Sequence, residues 1–366
     1  MNPATLLYID SFLFIPNQVI GWFYLHIRRW YSASKNYNDN TLVIKLMGMG
    51  SMVKLTSAFQ QNQVDLSNIT LVTFSQNVEI AKNLGYTRIE PLSKNWFRLL
   101  LQCILLPFKL KYSKVIDLER NVNATSLLRK YMGAIGACQT VFFHNQADVH
   151  LKNDIGFNLN TRSQLDLIKE VLPFLEKSDN PKGTKEISPV IKEKKILINI
   201  NASNYLSVRK FPIEKFASVI QDLATNYPDY RLVLTGSKSE SDYVGELEKM
   251  LDEKEIKVEN YSGIWSLSNL QNELENASLF ITNDSGPMHI AVWLKTPTLT
   301  IWGPTQANYS GYPESENIKN VSLNLSCSPC FVGGYSKWGV ACDKKVPCMN
   351  NLENVDVMKA VKGILN

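Results

Sequence analysis

Short apolar runs and longer amphipathic stretches alternate along this chain, and the pattern is laid down twice. In the first half, Thr41 to Met47, Ile69 to Thr73, Lys114 to Leu118 and Thr140 to Phe143 are apolar runs bounded by polar or turn residues. That is the pattern of strands buried on both faces of a parallel sheet. Between them, apolar residues three to four apart (Met52, Leu55, Phe59) predict a helix from Ser51 onward, and further helices fall at Val78 to Leu84 and Leu165 to Leu175. Apolar periodicity then stops. Glu176 to Lys195 is charged and holds Pro181, Gly183 and Pro189, which reads as a linker. The alternation restarts with strands at Lys195 to Ile200, Tyr230 to Leu234, Val258 to Gly263, Leu279 to Ile281 and Thr298 to Trp302. Helices are predicted at Ile213 to Tyr227, around Leu267, Leu270 and Leu274, at Met288 to Leu294 and at Val355 to Leu365. Strand and helix in alternation predict an α/β protein with parallel sheets.

Two stretches are apolar beyond what this pattern needs. Residues 5–27 are rich in aromatic and aliphatic side chains but are broken by Asp10, Pro16, Asn17 and Gln18, and Arg28, Arg29 and Lys35 follow. The uninterrupted part is shorter than the ~20 residues of a membrane span. It reads as a segment lying in a membrane interface, or as a helix on the protein's own core. Trp96 to Lys114 has the same character: Leu99, Leu100, Leu101, Ile104, Leu105 and Leu106, with Arg98, Lys109, Lys111 and Lys114 beside them. It is either a buried helix or a second membrane contact, and only the latter accounts for the clustered lysines.

Composition narrows the class. The 366 residues are 45% hydrophobic and 20% charged, as in an ordinary globular protein, and long enough for two domains with cores of their own. The net charge of +5 is uneven: residues 1–130 hold 15 Lys and Arg against 7 Asp and Glu. A basic first half suits an anionic partner. No nucleic-acid module is present, so an anionic membrane surface is expected. Six cysteines in this length do not make a secreted disulfide scaffold. Cys103 and Cys138 lie in apolar surroundings and read as core thiols. Cys327, Cys330, Cys342 and Cys348 begin with a C-x-x-C pair, but the wider second spacing leaves zinc, reduced thiols and a disulfide all open. No cation precedes the first apolar run, so a cytoplasmic protein is expected.

The chemistry concentrates between Ile281 and Pro304, "ITNDSGPMHIAVWLKTPTLTIWGP". An apolar strand runs into Asn283-Asp284-Ser285-Gly286-Pro287 and then a helix, with proline where a first turn tolerates it. Free N–H groups and a partial positive charge at such a helix start suit a phosphate. Asp284 reads as a cap or a ribose ligand, and His289 lies one turn on, within reach of a diphosphate. Upstream, Gly48-Met49-Gly50 forms a second strand–turn–helix junction. Asp117 and Glu119 close the Lys114 strand, at the end where α/β sheets hold ligands. His144 and His150 read as surface residues.

The string "NDSGPMHIA…TPTLTIWGPT" closely resembles the nucleotide-sugar segment of the heptosyltransferase-like glycosyltransferases, glycosyltransferase family nine. The resemblance covers about residues 41–365. It is strong over 265–350 and thin over 41–180, and residues 1–40 fall outside it. It implies a GT-B fold, two Rossmann-like αβα domains facing a cleft, here with an N-terminal apolar extension. The boundaries would be 1–40 for the apolar and basic extension, 41–178 for an acceptor-binding domain, 179–194 for a linker, 195–350 for a nucleotide-sugar domain and 351–366 for a closing helix. It implies inverting transfer of heptose or a related sugar from a nucleotide-diphospho-sugar such as ADP-heptose to a lipid-linked glycan such as lipopolysaccharide core. No cofactor or metal would be required, and the place of work would be the inner face of the inner membrane.

Residue by residue, the resemblance puts Arg209 on the family's donor-phosphate lysine, with Lys210 beside it. Asp284, Ser285, Gly286 and His289 would hold the diphosphate and ribose. Glu240 falls near a ribose carboxylate, and Trp265 lies where the nucleobase rests, either stacked on it or in the core. One departure matters. The family's general base, an aspartate just after the first glycine turn, is Ser51 here, and an unassisted serine is too poor a base for the role. Asp117 and Glu119 are the candidates to replace it; the other reading pairs them with Arg120 or Arg129. A non-catalytic nucleotide-binding protein and a nucleotide-sugar epimerase are the alternatives that the missing aspartate leaves open.

Overall fold

The computed structural model describes residues 40–46, 48–110, 112–119, 125, 128–130, 132, 139–144, 154–158, 164–182, 191–202, 204–332, 335–336 and 346–365. The readings placed on residues 1–39, Arg120, Cys138, His150 and Cys342 lie outside them, as do the side chain of His144 and the residues around Pro189. The chain divides into two compact units, 1–185 and 186–366.

The first unit is built on a parallel sheet of β1 (Thr41–Ile44), β2 (Ile69–Phe74), β3 (Arg88–Leu92), β4 (Lys114–Asp117), β5 (Gln139–His144) and β6 (Asp154–Asn158), in the order β3-β2-β1-β4-β5-β6. The helices are α1 (Met49–Gln61), α2 (Val78–Asn83), α3 (Trp96–Lys109) and α4 (Gln164–Val171). β1 is the centre, and every one of its side chains is buried. β3 escapes the hydrophobic pattern because it carries Pro91 and half-exposed residues; it lies at the sheet edge, where a missing N–H costs nothing. α1 starts at Met49 rather than Ser51. Gly48 precedes it with φ +78°, a left-handed turn that suits glycine.

The second unit repeats the design. It contains β7 (Glu193–Asn199), α5 (Ile213–Asn226), β8 (Arg231–Leu234), α6 (Ser241–Asp252), β9 (Glu259–Asn260), α7 (Leu267–Asn276), β10 (Ala277–Asn283), α8 (Gly286–Trp293), β11 (Thr298–Ile301), α9 (Ala307–Ser310), β12 (Ile318–Val321), α10 (Pro347–Asn350) and α11 (Asn354–Leu365). Its sheet order is β12-β11-β10-β7-β8-β9, parallel throughout. Ile196, Ile198, Leu279, Ile281, Leu299 and Ile301 form the sheet side of the core, and Phe216, Ile220, Leu247, Val357 and Val361 cover it.

In each sheet the first strand of the unit sits centrally, and the connections leave it in opposite directions. The order reverses between β1 and β4 in the first unit and between β7 and β10 in the second. Beyond the carboxyl ends of such a strand pair, adjacent loops part and leave a crevice for ligand. Asp117 and Glu119 end one such pair, and Asn283 to Gly286 ends the other.

Candidate functional site

At the switch point of the second unit, three loops are tied together by polar side chains that water barely reaches. Asn283 is the knot. Its Oδ1 accepts from the Phe211 amide at 3.1 Å, and its Nδ2 donates to the Ile200 carbonyl at 2.9 Å. This fixes the loop before α5, the end of β7 and the end of β10 to one another. Asn199 Oδ1 accepts from the Asn201 amide at 3.0 Å, and the Thr282 and Ser285 hydroxyls lie 3.0 Å apart. A burial this polar is stable only when its groups are paired. Among the described residues, two buried polar atoms here lack a hydrogen-bond partner: Asn201 Oδ1 and Arg209 Nε.

Asp284 neither caps α8 nor points to open solvent. Its Oδ2 accepts from Arg209 Nη1 at 3.0 Å and from the Thr305 hydroxyl at 2.7 Å. The carboxylate therefore anchors the guanidinium, and the "GPT" turn braces the carboxylate. Ser285 occupies the N-cap position of α8 in extended backbone, φ −142° and ψ 166°, without a side-chain cap bond, and Pro287 is in the first turn. The first-turn amides of Gly286 and Met288 therefore have no intrahelical acceptor. His289, buried on the same helix, has Nδ1 3.0 Å from the hydroxyl of Tyr312. Burial holds that phenol protonated far above its usual range.

The structure brings Arg209, Asp284, Ser285, Gly286 and His289 to one end of one sheet. Three other expected donor residues have different partners. Lys210 places its ammonium 4.2 Å from the ring centre of Tyr243. Glu240 Oε2 accepts from the amide and hydroxyl of Ser237 at 2.8 and 2.7 Å, closing a capping box, so that oxygen is already committed. Trp265 stacks on Tyr261, 4.5 Å between centres and 11° between planes, so one indole face is taken. The residues that sequence reasoning missed are Asn199, Asn201 and Asn283. Their signal was an asparagine at or just past the end of an apolar strand, where a buried polar group needs a reason.

At the switch point of the first unit, Ser51 lies in the first turn of α1, and its Oγ donates to the Gly48 carbonyl at 2.8 Å. A hydroxyl used as a turn brace has no base character. Asp117 and Glu119 are both buried. Glu119 Oε1 accepts from Lys45 Nζ at 2.9 Å and from the Leu46 amide at 2.6 Å. Asp117 accepts from the Glu119 amide at 3.0 Å. Desolvation dominates at Asp117 and pushes its carboxyl up to about 7, although Arg129, the Glu119 amide and Thr125 all favour the ionised form. Arg129 spreads its guanidinium over the Phe142 ring at 3.5 Å.

The cysteines divide. Cys348 is part of the second unit's core, Cys327 is exposed, and the Cys330 amide donates to the Pro304 carbonyl at 3.0 Å, docking that loop on the elbow's closing turn. Among the described residues no group of three or more His, Cys, Asp or Glu is arranged to hold a metal.

Residues 146–338 match the family model described as "Glycosyltransferase family 9 (heptosyltransferase)", more than half of the 366-residue chain. Lipooligosaccharide heptosyltransferase 2 of Campylobacter jejuni serotype O:2 is 29% identical over 196 residues, which is 53% of this chain and 56% of that protein. The chain thus spans about half the length of the curated relatives it matches. Among solved structures, Escherichia coli ADP-heptose lps heptosyltransferase II matches with a TM-score of 0.64 at 16% identity, over 89% of this chain and 98% of that one. A family 9 glycosyltransferase from Veillonella parvula matches with a TM-score of 0.67 at 20% identity, over 91% and 99%. These two share the α/β architecture of paired parallel sheets, the GT-B fold. With its elbow inside the matched segment and its two sheets in the same architecture, the chain belongs to glycosyltransferase family 9, the heptosyltransferase family.

Proposed function

We propose that the chain is an inverting glycosyltransferase that moves heptose, or a related sugar, from ADP-heptose to a hydroxyl of a lipid-linked glycan such as lipopolysaccharide core, at the inner face of the inner membrane. The observation that carries this reading is the Arg209–Asp284–Thr305 brace around the start of α8, inside the segment that matches the family. A guanidinium anchored by a carboxylate cannot swing away from an incoming diphosphate. It offers planar, bidentate donors that lysine lacks. The Gly286 and Met288 amides add donors and the positive end of the helix.

His289 completes the set. With the Tyr312 hydroxyl as the donor to Nδ1, the imidazole proton sits on Nε2, where a phosphate oxygen would accept it. Charge developing on the leaving diphosphate then meets fixed donors, and this electrostatic stabilisation needs no metal. Asn201 Oδ1 and Arg209 Nε, without protein partners, are the polar atoms a bound nucleotide sugar would satisfy.

In the first unit we assign Asp117 as the base that takes the acceptor proton. A carboxyl poised near 7 is matched to proton transfer at neutral pH. Glu119 is a positioning residue, held by Lys45 and holding Asp117 through its own amide.

The deciding measurement is ADP release from ADP-heptose with and without a delipidated core oligosaccharide. Acceptor-dependent release, lost in Asp117→Asn, supports transfer. ADP-heptose that binds without turnover, or is interconverted without acceptor, sinks it.

A further inference from the structure

We propose that the outward face of α3 is a docking surface for an anionic lipid bilayer. The idea rests on the reading of the acceptor as lipid-linked for its purpose, and on α3 itself for its physics.

α3 is apolar on two sides. Leu106 packs into the core of the first unit, with Leu99, Cys103 and, just past the helix, Leu110 against the same cluster. Burial pushes the Cys103 thiol up to about 11, in keeping with that inward position. On the other side Phe97, Leu100, Leu101, Ile104, Leu105 and Phe108 are 46–68% exposed. Their spacing of three and four places them in one stripe. They are six of the nine large hydrophobic side chains exposed among the described residues. A contiguous apolar face of this kind marks an interaction site.

Charge selects the occupant. Lys94 to Lys114 contains five cations (Lys94, Arg98, Lys109, Lys111, Lys114) and no carboxylate. Of these, Lys109 pairs with Glu90 at 2.6 Å, Lys114 donates to the Phe174 carbonyl at 2.5 Å and Lys111 lies outside the described residues, whereas Arg98 is exposed. A second copy docked face to face would bring like charges together, which disfavours it. The chain's own residues 1–39 hold three cations and two carboxylates, so they do not neutralise the stripe either. Anionic headgroups do. The 1–39 segment joins the fold at Asn40, whose carbonyl accepts from the Ser113 amide at 3.0 Å, just beyond the end of α3. No described helix is long and apolar enough to cross a membrane. A stripe about 16 Å long, at 1.5 Å per residue, suits a helix lying in the interface plane with aromatic rings at both ends.

The test is flotation of the full chain with vesicles of phosphatidylethanolamine and phosphatidylglycerol, or of phosphatidylcholine alone. The wild type is expected to float with the anionic vesicles and much less with the zwitterionic ones. Leu101→Ser with Leu105→Ser, both at exposed positions, is expected to weaken binding about tenfold or more. Arg98→Gln is expected to weaken it by about fivefold, an effect that high salt removes. ADP release with the delipidated oligosaccharide should be unchanged in the double leucine variant. Flotation that is absent in the wild type or unchanged in that variant overturns the docking surface, and so does a dimer that the variant dissociates. Lipid binding lost in the variant, with no turnover in any form, leaves the surface standing and removes only the enzymatic reading.

Discussion

Arg209 Nη1 lies 3.0 Å from Asp284 Oδ2, with the two side chains only 15% and 6% exposed. Removing one partner of such a pair leaves an uncompensated charge away from water. Arg209→Ala should therefore cost about 3 kcal/mol of stability in the second unit as well as donor affinity. Arg209→Met combined with Asp284→Asn should recover most of the stability and none of the affinity. Urea melts and ADP titration on the two variants measure the separation; affinity returning with stability would show that Arg209 is structural only.

Asp117 couples activity to stability through pH. Its folded pKa, near 7, lies above the ordinary carboxylate value. The proton is held more tightly folded than unfolded, so the stability it contributes is full below about pH 4 and declines as pH rises through 7. Base function runs the other way, since only the ionised form accepts a proton. Transfer should rise across pH 6–8 while the first unit becomes easier to unfold. Asp117→Asn should flatten the stability change, lower kcat by about 100-fold or more and leave donor KM alone. A pH series of melts and rates checks both limbs.

Lys45 and Glu119 make a second sheltered pair, 7% and 5% exposed. Lys45→Met should destabilise by about 3 kcal/mol, because it removes the cation that Glu119 meets away from water. The same change in a Glu119→Gln background should cost much less. A double-mutant cycle by denaturant melts reads this coupling. If Glu119 rather than Asp117 is the base, Glu119→Gln removes turnover and Asp117→Asn does not.

The His289–Tyr312 contact predicts a tautomer. Tyr312→Phe removes the hydroxyl that faces Nδ1. Donor affinity should fall about fivefold, the value of one lost orienting hydrogen bond. His289→Ala should weaken it further and lower kcat. Isothermal titration with ADP and steady-state rates measure these effects, and a Tyr312→Phe protein that binds ADP as the wild type does would rule out the tautomer role.

Much of this protein could be read before folding it. Apolar runs bounded by turns marked most strands, because a strand buried on both faces needs nothing but apolar side chains. The elbow at Asn283 to Gly286 was legible because its chemistry is local: a strand end, a small polar turn and a proline-bearing helix start follow one another in the chain. β3 was not legible, because Pro91 is tolerated only at a sheet edge, and no local pattern says which strand will be the edge. The local partners of Glu240 and Trp265 were not legible either: Ser237 takes one carboxylate oxygen and Tyr261 one indole face, contacts that the spacing does not announce.

The sequence by itself determined the elements, the family string and the absence of an acid after the first glycine turn. Only the tertiary structure decided what each ionisable group does. Lys45 meets Glu119 across 74 residues and Arg209 meets Asp284 across 75, because β1 lies beside β4 and β7 beside β10. Parallel neighbours are joined by long crossovers, so the identity of the adjacent strand is a property of the whole sheet and leaves no trace in local periodicity. The burial that lifts Asp117 towards neutrality and the exposure that leaves α3 apolar to solvent arise the same way, from what the folded sheet covers and what it leaves open.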